Sequence, residues 1–184
     1  MKRPALFLDR DGVINVDHGH VHRIEDFEFI PGIFELVRAA NEAGWLVVIV
    51  TNQAGIAKGY YTEAQFQTLT AWMRDQFLAQ GARIDAVYHC PHHPEFGPVG
   101  TRDCNCRKPQ PGLILKAIED LGISRDGSIF VGDKESDMIA AKVAGISIRV
   151  HFISEGEGKI GVATTHVHSH QDLLRKANKP MWLD

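Results

Sequence analysis

The sequence predicts an α/β protein built on a doubly wound, mostly parallel sheet. Short apolar runs, several of them β-branched, alternate along the chain with segments of helical periodicity, which is the pattern of repeated βαβ units. The runs are apolar at nearly every position, as expected for parallel strands whose two faces are both covered by helices. With 184 residues, the chain can bury a core, and we expect a single domain over residues 1–184.

The predicted elements follow one another in a regular order. The apolar runs predict strands at residues 5–8, 46–51, 84–88, 128–133 and 146–150, and an edge strand within 161–167. The helical stripes predict helices at residues 33–40, 62–77, 111–121 and 136–144, and a last helix that begins after Ser169. The second of these helices begins at a capping box formed by Thr62 and Gln65.

Composition and charge exclude several classes of partner. The formal net charge is −3, and the basic residues are scattered apart from Arg107-Lys108, so we expect no nucleic-acid partner. No apolar run approaches the length of a membrane span, so we expect no membrane partner, and we predict a cytoplasmic monomer. The three cysteines are an odd number, and in a reducing compartment they favour metal binding over disulfides.

Reactive side chains stand where three predicted strands end. These residues are Asp9 with Asp11, Thr51 with Asn52, and Asp133. The carboxyl ends of parallel strands share one edge of the sheet, so the side chains should gather in one crevice, where Lys108 would join them. A candidate nucleophile, a candidate acid–base group, a hydroxyl, a cation and a third carboxylate are the set that phosphoryl transfer requires.

The motif Asp9-x-Asp11-Gly12 also has simpler interpretations, as a turn or as part of an EF-hand loop. An EF-hand needs Gly at loop position six and Glu at position twelve. Here Gly12 is fourth and His20 is twelfth, which excludes the EF-hand. A plain turn stays open for the motif alone, but its order with the other strand-end residues favours phosphoryl transfer.

The chain resembles the haloacid dehalogenase superfamily of phosphatases. Its four motifs are matched by Asp9-Arg10-Asp11-Gly12-Val13, Thr51-Asn52, Lys108-Pro109, and Gly132-Asp133 with Asp137. The resemblance covers residues 5–150 and is closest to the D-glycero-D-manno-heptose-1,7-bisphosphate 7-phosphatase family, through segments 14–22, 51–57, 90–93 and 104–109. Two alternatives stay open: a histidinol-phosphatase, and a catalytically inactive, zinc-stabilised binding module.

This resemblance implies a Mg²⁺-dependent mechanism with a covalent intermediate. Asp9 would be the nucleophile, and Asp11 the general acid and then the general base. Thr51 and Lys108 would stabilise the phosphoryl oxygens. The Mg²⁺ ligands would be Asp9, Asp133 and the backbone carbonyl of Asp11, with Asp137 supporting the metal site from the start of a helix.

The resemblance also implies a small-molecule sugar bisphosphate as substrate, in a bacterial heptose pathway that feeds lipopolysaccharide synthesis. The 7-phosphate would be removed, and Arg107 would contact the retained distal phosphate. The full set of expected substrate contacts is Arg10, Asp17, His18, Gly19, His20, Asn52, Gln53, Ala54, Arg107 and Lys134. Neither segment 17–31 nor segment 53–62 is long enough for a cap domain, so we expect an open, capless site.

A second metal site is predicted in the segment 90–108, here called the zinc loop. Cys90-x-His92 and Cys104-x-Cys106 bracket an irregular stretch rich in Pro and Gly, and a loop of this length needs something to order it. Four N and S ligands suit a closed structural zinc site. His93 competes with His92 as the fourth ligand, and the resemblance favours His92. Zinc would then clamp the loop that carries Arg107 and Lys108.

The alternating histidines His166, His168 and His170 form a third candidate cluster. No acid or cysteine accompanies them, so we expect an exposed strand face or tail rather than a metal site.

Overall fold

The computed structural model describes residues 2–153 and 158–177, in which six parallel strands form one sheet with helices on both faces. The strands are β1 (Ala5–Leu8), β2 (Leu46–Asn52), β3 (Ala86–Cys90), β4 (Ile129–Gly132), β5 (Ile148–Phe152) and β6 (Thr165–Val167). The helices are α1 (Ile33–Glu42), α2 (Glu63–Ala79), α3 (Gly112–Leu121), α4 (Glu135–Val143) and α5 (His170–Ala177), with 3₁₀ turns at Ile24–Asp26 and Val99–Thr101. The predicted fold class is confirmed.

The strand order, β3-β2-β1-β4-β5-β6, places a topological switch point beside β1. The chain leaves β1 for β2 on one side and returns to pair β4 on the other side, all in parallel. Diverging connections open a crevice at the carboxyl ends of β1 and β4, where ligands of doubly wound sheets bind.

Alternation along β1 divides the core between the two faces of the sheet. Leu6 and Leu8 pack with α1, α2 and α5 in one buried cluster, whereas Ala5 and Phe7 pack with α3 and α4 in the other. All four side chains are fully buried. Both faces of the sheet are therefore covered, which explains why β1 is apolar at every position.

The capping box predicted for α2 is confirmed. The Oγ1 atom of Thr62 accepts a hydrogen bond from the backbone N–H of Gln65 at 3.2 Å, and the backbone N–H of Thr62 donates to Oε1 of Gln65 at 2.8 Å. This cap fixes the point at which the β2–α2 loop ends, and that loop forms one wall of the site described below.

Two strands begin two residues later than the sequence predicts. Ile84 and Ile146 are apolar and buried, but each lies before its hydrogen-bonded ladder, which begins at Ala86 in β3 and at Ile148 in β5. The N–H of Ile146 instead donates to the carbonyl of Ala141 at the end of α4. Apolar character therefore marks burial at these two positions, not strand pairing.

The expectation of an exposed histidine tail is wrong for His170. This side chain is fully buried because α5 packs against α1, where Gly32 leaves the space that His170 fills. The edge strand is present as β6. The single-domain prediction also covers residues 1, 154–157 and 178–184, which lie outside the described residues, and it stays a prediction. Within the described ranges, no helix is both long enough and apolar enough to cross a membrane.

Candidate active site

A buried group of charged side chains lies at the carboxyl ends of β1 and β4, and we call it the floor. Its members are Asp9, Lys108, Asp133 and Asp137. Carboxylate oxygens of the three aspartates lie within 4.8 Å of one another. The ammonium of Lys108 lies 2.9 Å from Oδ1 of Asp9 and 2.7 Å from Oδ1 of Asp137. Like charges this close repel one another unless cations neutralise them.

The position of Lys108 is fixed by contacts far away in sequence. The side-chain amide of Asn52, at the end of β2, donates to the carbonyl of Lys108 and accepts from its N–H, both at 3.0 Å. The ammonium also donates to the carbonyl of Val50 at 2.8 Å. Since Lys108 is only 3% exposed, its charge is held in a low-dielectric environment at a fixed place beside Asp9.

Two glycines leave the space that the floor occupies. Gly12 has a φ of +87°, and a Cβ there would lie 2.6 Å from Cγ of Asp133. A Cβ on Gly132 would lie 2.6 Å from Oδ2 of Asp137. Any larger residue at either position would push a carboxylate out of the cluster.

The charged groups of the floor have shifted pKa values, and burial is the largest cause at both Asp9 and Asp133. Burial raises the pKa of Asp9 to about 6, although Lys108 opposes the rise. Burial, reinforced by Asp9, raises the pKa of Asp133 to about 8. For Lys108, burial alone would lower the pKa, but Asp137 and Asp9 raise it above the usual value. One lysine does not balance three carboxylates.

The floor has the composition of a site for a hard divalent cation. Oδ1 of Asp133 is buried and has no hydrogen-bond partner among the described residues. An orphaned carboxylate oxygen beside two other carboxylates is the kind of ligand that Mg²⁺ takes. The residues present therefore fit the metal that the sequence predicts.

Asp11 lies beside the floor, and its carboxylate is not part of the floor's carboxylate cluster. It accepts hydrogen bonds from the guanidinium of Arg10 at 2.8–3.1 Å, from Nδ2 of Asn15 at 3.1 Å and from Nε2 of Gln53 at 3.1 Å. Its side chain is 15% exposed, so it can reach both the cleft and these donors. A carboxyl group in this position can give or take a proton without losing its orientation.

A cleft of about 560 Å³ opens above the floor. Three half-buried or exposed cations from separate segments, here called the rim, border it: Lys58, Arg107 and Lys134. Lys134 pairs with Asp17 at 3.0 Å, and Nζ of Lys58 lies 3.4 Å from Nε2 of His20. With a divalent cation at the floor, the cleft can hold one anion there and a second negative charge near its opening.

The zinc loop gathers its four predicted ligands. One donor atom from each of Cys90, His92, Cys104 and Cys106 lies within 4.8 Å of all the others. Nδ1 of His92 is 3.3 Å from Sγ of Cys106, whereas His93 accepts from the N–H of Glu95 and stays outside the cluster. Of the two histidines, the geometry favours His92.

The same cluster is chemically suited to a thiophilic metal. The three cysteines form no disulfide. At Cys104, hydrogen bonds from Cys106 and His92 outweigh the opposing effect of burial and lower the pKa to about 7, which favours the thiolate that binds metal. The guanidinium of Arg107 donates to the carbonyl of His92 at 3.2 Å, so the order of the cluster is linked to the rim.

Comparison with known proteins decides the family. A model described as haloacid dehalogenase-like hydrolase matches residues 98–150. The D-glycero-beta-D-manno-heptose-1,7-bisphosphate 7-phosphatase of Vibrio cholerae is 50% identical over 152 residues, 82% of this chain and 81% of that protein. The protein of the same name from Escherichia coli K12 is 49% identical over 148 residues, 80% of this chain and 78% of that one. The chain belongs to this family of haloacid dehalogenase-like phosphatases.

Solved structures agree with this heptose-bisphosphatase family assignment. A D,D-heptose 1,7-bisphosphate phosphatase from B. bronchiseptica, solved with magnesium and phosphate, superposes with a TM-score of 0.81 at 28% identity and covers 96% of this chain and 99% of its own. A HAD-like phosphatase from Mesorhizobium loti gives 0.86 at 33% identity, covering 100% of this chain and 89% of that one. The family predicted from the motifs is confirmed.

Most of the residues that the heptose-bisphosphatase motifs predict line the cleft. They are Asp9, Asp11, Asp17, Gly19, His20, Thr51, Asn52, Gln53, Ala54, Arg107, Lys108 and Lys134. Arg10 is 2% exposed and bonds Asp11 and the carbonyl of Val21 instead. His18 lies 3.3 Å from Glu28 in an adjoining concavity of about 660 Å³ formed by residues 18–28. The roles of both as substrate contacts stay predictions.

The cleft is also lined by residues that were not predicted as substrate contacts, among them Lys58, Tyr61, His93 and Ser136. Lys58 lies 5.8 Å from the ring centroid of Tyr60 and 5.9 Å from that of Phe96. A neighbour in its own loop and a residue distant in sequence therefore hold it by cation–π contacts. A single lysine in a loop carries no periodic signal. The heptose-bisphosphatase motifs alone therefore do not single out Lys58.

Proposed function

We propose that the protein removes the 7-phosphate of D-glycero-β-D-manno-heptose 1,7-bisphosphate, with Mg²⁺ and through an aspartyl-phosphate at Asp9. The observation that carries this proposal is the buried floor. Oδ1 of Asp9 is occupied by the ammonium of Lys108 and by the N–H of Arg10, whereas Oδ2 takes no hydrogen bond from the described residues. These two donors therefore fix the orientation of the Asp9 carboxylate.

Asp9, Asp133 and the backbone carbonyl of Asp11 would hold Mg²⁺. When bound, the ion neutralises phosphoryl oxygen charge and relieves the repulsion between the carboxylates. Asp137 has a different proposed role, because its Oδ1 is paired with Lys108 and its Oδ2 accepts the N–H of Lys134. It anchors the lysine and the start of α4.

In the first half-reaction, Oδ2 of Asp9 forms a bond to phosphorus and the bond from phosphorus to the C7 oxygen breaks. Asp11 gives its proton to that departing oxygen. Lys108 and the hydroxyl of Thr51 stabilise the phosphoryl oxygens. The Thr51 oxygen already accepts a hydrogen bond from Gln53 at 2.8 Å, so its own proton is available to the substrate.

In the second half-reaction, the Asp11 carboxylate takes a proton from water as the water oxygen attacks phosphorus. The acyl-phosphate bond to Asp9 breaks, inorganic phosphate leaves, and both aspartates return to their starting states. The Arg10, Asn15 and Gln53 contacts hold Asp11 in place through both proton transfers.

The rim is proposed to select the bisphosphate. Arg107 and Lys58 border the same cleft as the floor and would bind the retained 1-phosphate, Arg107 bidentately where geometry allows. Lys134 is held by Asp17 and would supply further positive charge. Structural zinc, bound by Cys90, His92, Cys104 and Cys106, would keep Arg107 and Lys108 in position.

A substrate panel followed by ³¹P NMR tests the proposal. The protein with Mg²⁺ is given heptose 1,7-bisphosphate, heptose 7-phosphate and histidinol phosphate. We expect the highest kcat/KM for the bisphosphate, with only the anomeric phosphate signal remaining on the sugar. Preference for histidinol phosphate, or loss of the anomeric phosphate, would overturn it. The monomeric state and cytoplasmic location stay predictions, the first of which light scattering can check.

A further inference from the structure

We propose that Tyr61 is a positioning residue for the reaction. Through the side-chain amide of Gln53, it fixes the direction in which Asp11 and Thr51 face the substrate. This inference rests on the proposed function in one respect, namely the acid–base role of Asp11. Neither the motifs nor the family assignment includes Tyr61.

The contacts form a continuous chain from the buried Tyr61 to Asp11 at the cleft. The hydroxyl of Tyr61 donates to Oε1 of Gln53 at 2.5 Å. Nε2 of Gln53 then donates to Oδ2 of Asp11 at 3.1 Å and to Oγ1 of Thr51 at 2.8 Å. Tyr61 is 4% exposed and Gln53 is 1% exposed, so water does not compete for the bonds that Gln53 makes with Tyr61 and Thr51.

Two neighbours fix the position of the Tyr61 ring. It stacks on the ring of His22 with centroids 4.9 Å apart and an interplanar angle of 7°. On another side lies Gly55, where a Cβ would come within 2.7 Å of Cζ of Tyr61. Burial raises the pKa of Tyr61 to about 12, so the hydroxyl stays protonated and can act as a donor.

The orientation of the Gln53 amide matters because its two ends have opposite hydrogen-bonding character. If the amide were rotated by about 180°, Oε1 would face the carboxylate of Asp11, and the two oxygens would repel each other. The rotation would also make Thr51 donate to Gln53 rather than to a phosphoryl oxygen. A phenolic donor opposite Oε1 stabilises only the orientation in which the NH₂ group meets Asp11 and Thr51.

Asp11 depends on this donor for its direction toward the cleft. Arg10 and Asn15 also bond the carboxylate, whereas Gln53 is the donor that comes from the β2–α2 wall and lines the cleft. If Gln53 lost its fixed orientation, the carboxyl group of Asp11 could turn toward Arg10. Proton transfer to the leaving oxygen would then slow, since catalysis by a positioned acid depends on its distance from the reacting atom.

The test uses Tyr61→Phe, which keeps the ring stacked on His22 and removes only the hydroxyl. We expect kcat/KM for heptose bisphosphate to fall about 5- to 10-fold, consistent with one lost hydrogen bond, with little change in KM. For p-nitrophenyl phosphate, whose leaving group needs no proton, the fall in kcat/KM should be smaller by about threefold or more. Tyr88→Phe, which loses a hydroxyl bonded to Asp120 at the surface, is the matched control.

A double-variant cycle separates positioning through Gln53 from a general structural effect. In a Gln53→Ala background, Tyr61→Phe should cause no further loss. Equal losses for both substrates, additive losses in the double variant, or no loss at all would each overturn the inference. If wild-type protein leaves heptose bisphosphate intact, the proposed function fails. The comparison of glycerol phosphate with p-nitrophenyl phosphate then still decides the role of Tyr61.

Discussion

The floor and the rim of the cleft both contain lysine side chains but hold them in different ways. At the floor, Lys108 is 3% exposed and contacts two carboxylates and a backbone carbonyl. At the rim, the side chain of Lys134 is 54% exposed and has Asp17 and Asp133 as partners. A buried charge keeps one position and interacts strongly, whereas an exposed charge is screened by water and salt.

This difference suggests a division of labour. The floor should determine whether the phosphoryl group is transferred, because small displacements there change the reacting distance. The rim should determine which phosphate ester is bound, because partly exposed cations can still recognise a second phosphate. Changes in the floor should therefore lower kcat, and changes in the rim should raise KM for the bisphosphate alone.

The largest effect is expected at the floor. Asp9→Asn replaces the attacking carboxylate with an amide of nearly the same shape, and kcat should fall on the order of 10⁴-fold or more while the fold is retained. Phosphate release and circular dichroism measure the two quantities. Asp75→Asn, on the exposed side of α2, is the control and should lie within about twofold of wild type. Full activity of the Asp9 variant would rule out the covalent mechanism.

The zinc loop connects the two regions, so removing the zinc proposed there should affect both. Chelation of zinc, followed by restoration of Mg²⁺, is expected to lower kcat/KM about 10²-fold, because Arg107 and Lys108 lose their fixed positions. Hydrogen exchange should show lost protection confined to residues 90–108. Adding zinc back should restore both properties. Unchanged kinetics in zinc-free protein would contradict a clamping role.

Removing one charge from the rim tests whether the rim affects substrate binding and the floor affects catalysis. Lys58→Met keeps the aliphatic part of the side chain between Tyr60 and Phe96 and removes the charge. We expect KM for heptose 1,7-bisphosphate to rise about 10-fold and KM for a monophosphate to stay within about twofold. Lys116→Met, at an exposed position of α3, should change neither. Equal effects on both substrates would remove the distinction between the floor and the rim.

The smallest effect concerns stability rather than activity. Burial lowers the pKa of His170 to about 4, opposed by its bond to Val13 and by the charge of Glu35. The unfolded chain binds this proton near pH 6.5, so stability is fully present above that pH and is lost as pH falls toward 4. Urea unfolding should show about 2 kcal/mol less stability from this group at pH 5 than at pH 7. His170→Gln should lose this part of the pH dependence, and an unchanged slope would refute it.

The sequence predicts the floor well because the order of the parallel strands determines which strand-end residues are neighbours. Asp9 and Asp133 follow parallel strands, and the carboxyl ends of β1 and β4 are neighbours. Gly12 and Gly132 also have a local signature, since each stands beside an aspartate and makes room for another one. The four proposed zinc ligands, which the structure brings together, are predictable for a different reason, because their spacing brackets a loop.

Lys58 of the rim and Tyr61 are not predictable in the same way. The position of Lys58 depends on Phe96 from a distant loop, and that of Tyr61 on His22 and Gly55. Such contacts arise only after folding and leave no periodic pattern. His170 shows the same limit, since its burial follows from the packing of α5 on α1.

The central claim is that Asp9 at the floor carries the phosphoryl group. The most direct test uses Asp11→Asn with p-nitrophenyl phosphate. Its leaving group needs no acid, so transfer to Asp9 should proceed, while hydrolysis lacks its base. The account predicts a burst of one nitrophenolate per active site and, after acid quench, a phosphoryl group on Asp9 by mass spectrometry. Turnover without a burst, or a phosphoryl group on another residue, would contradict it.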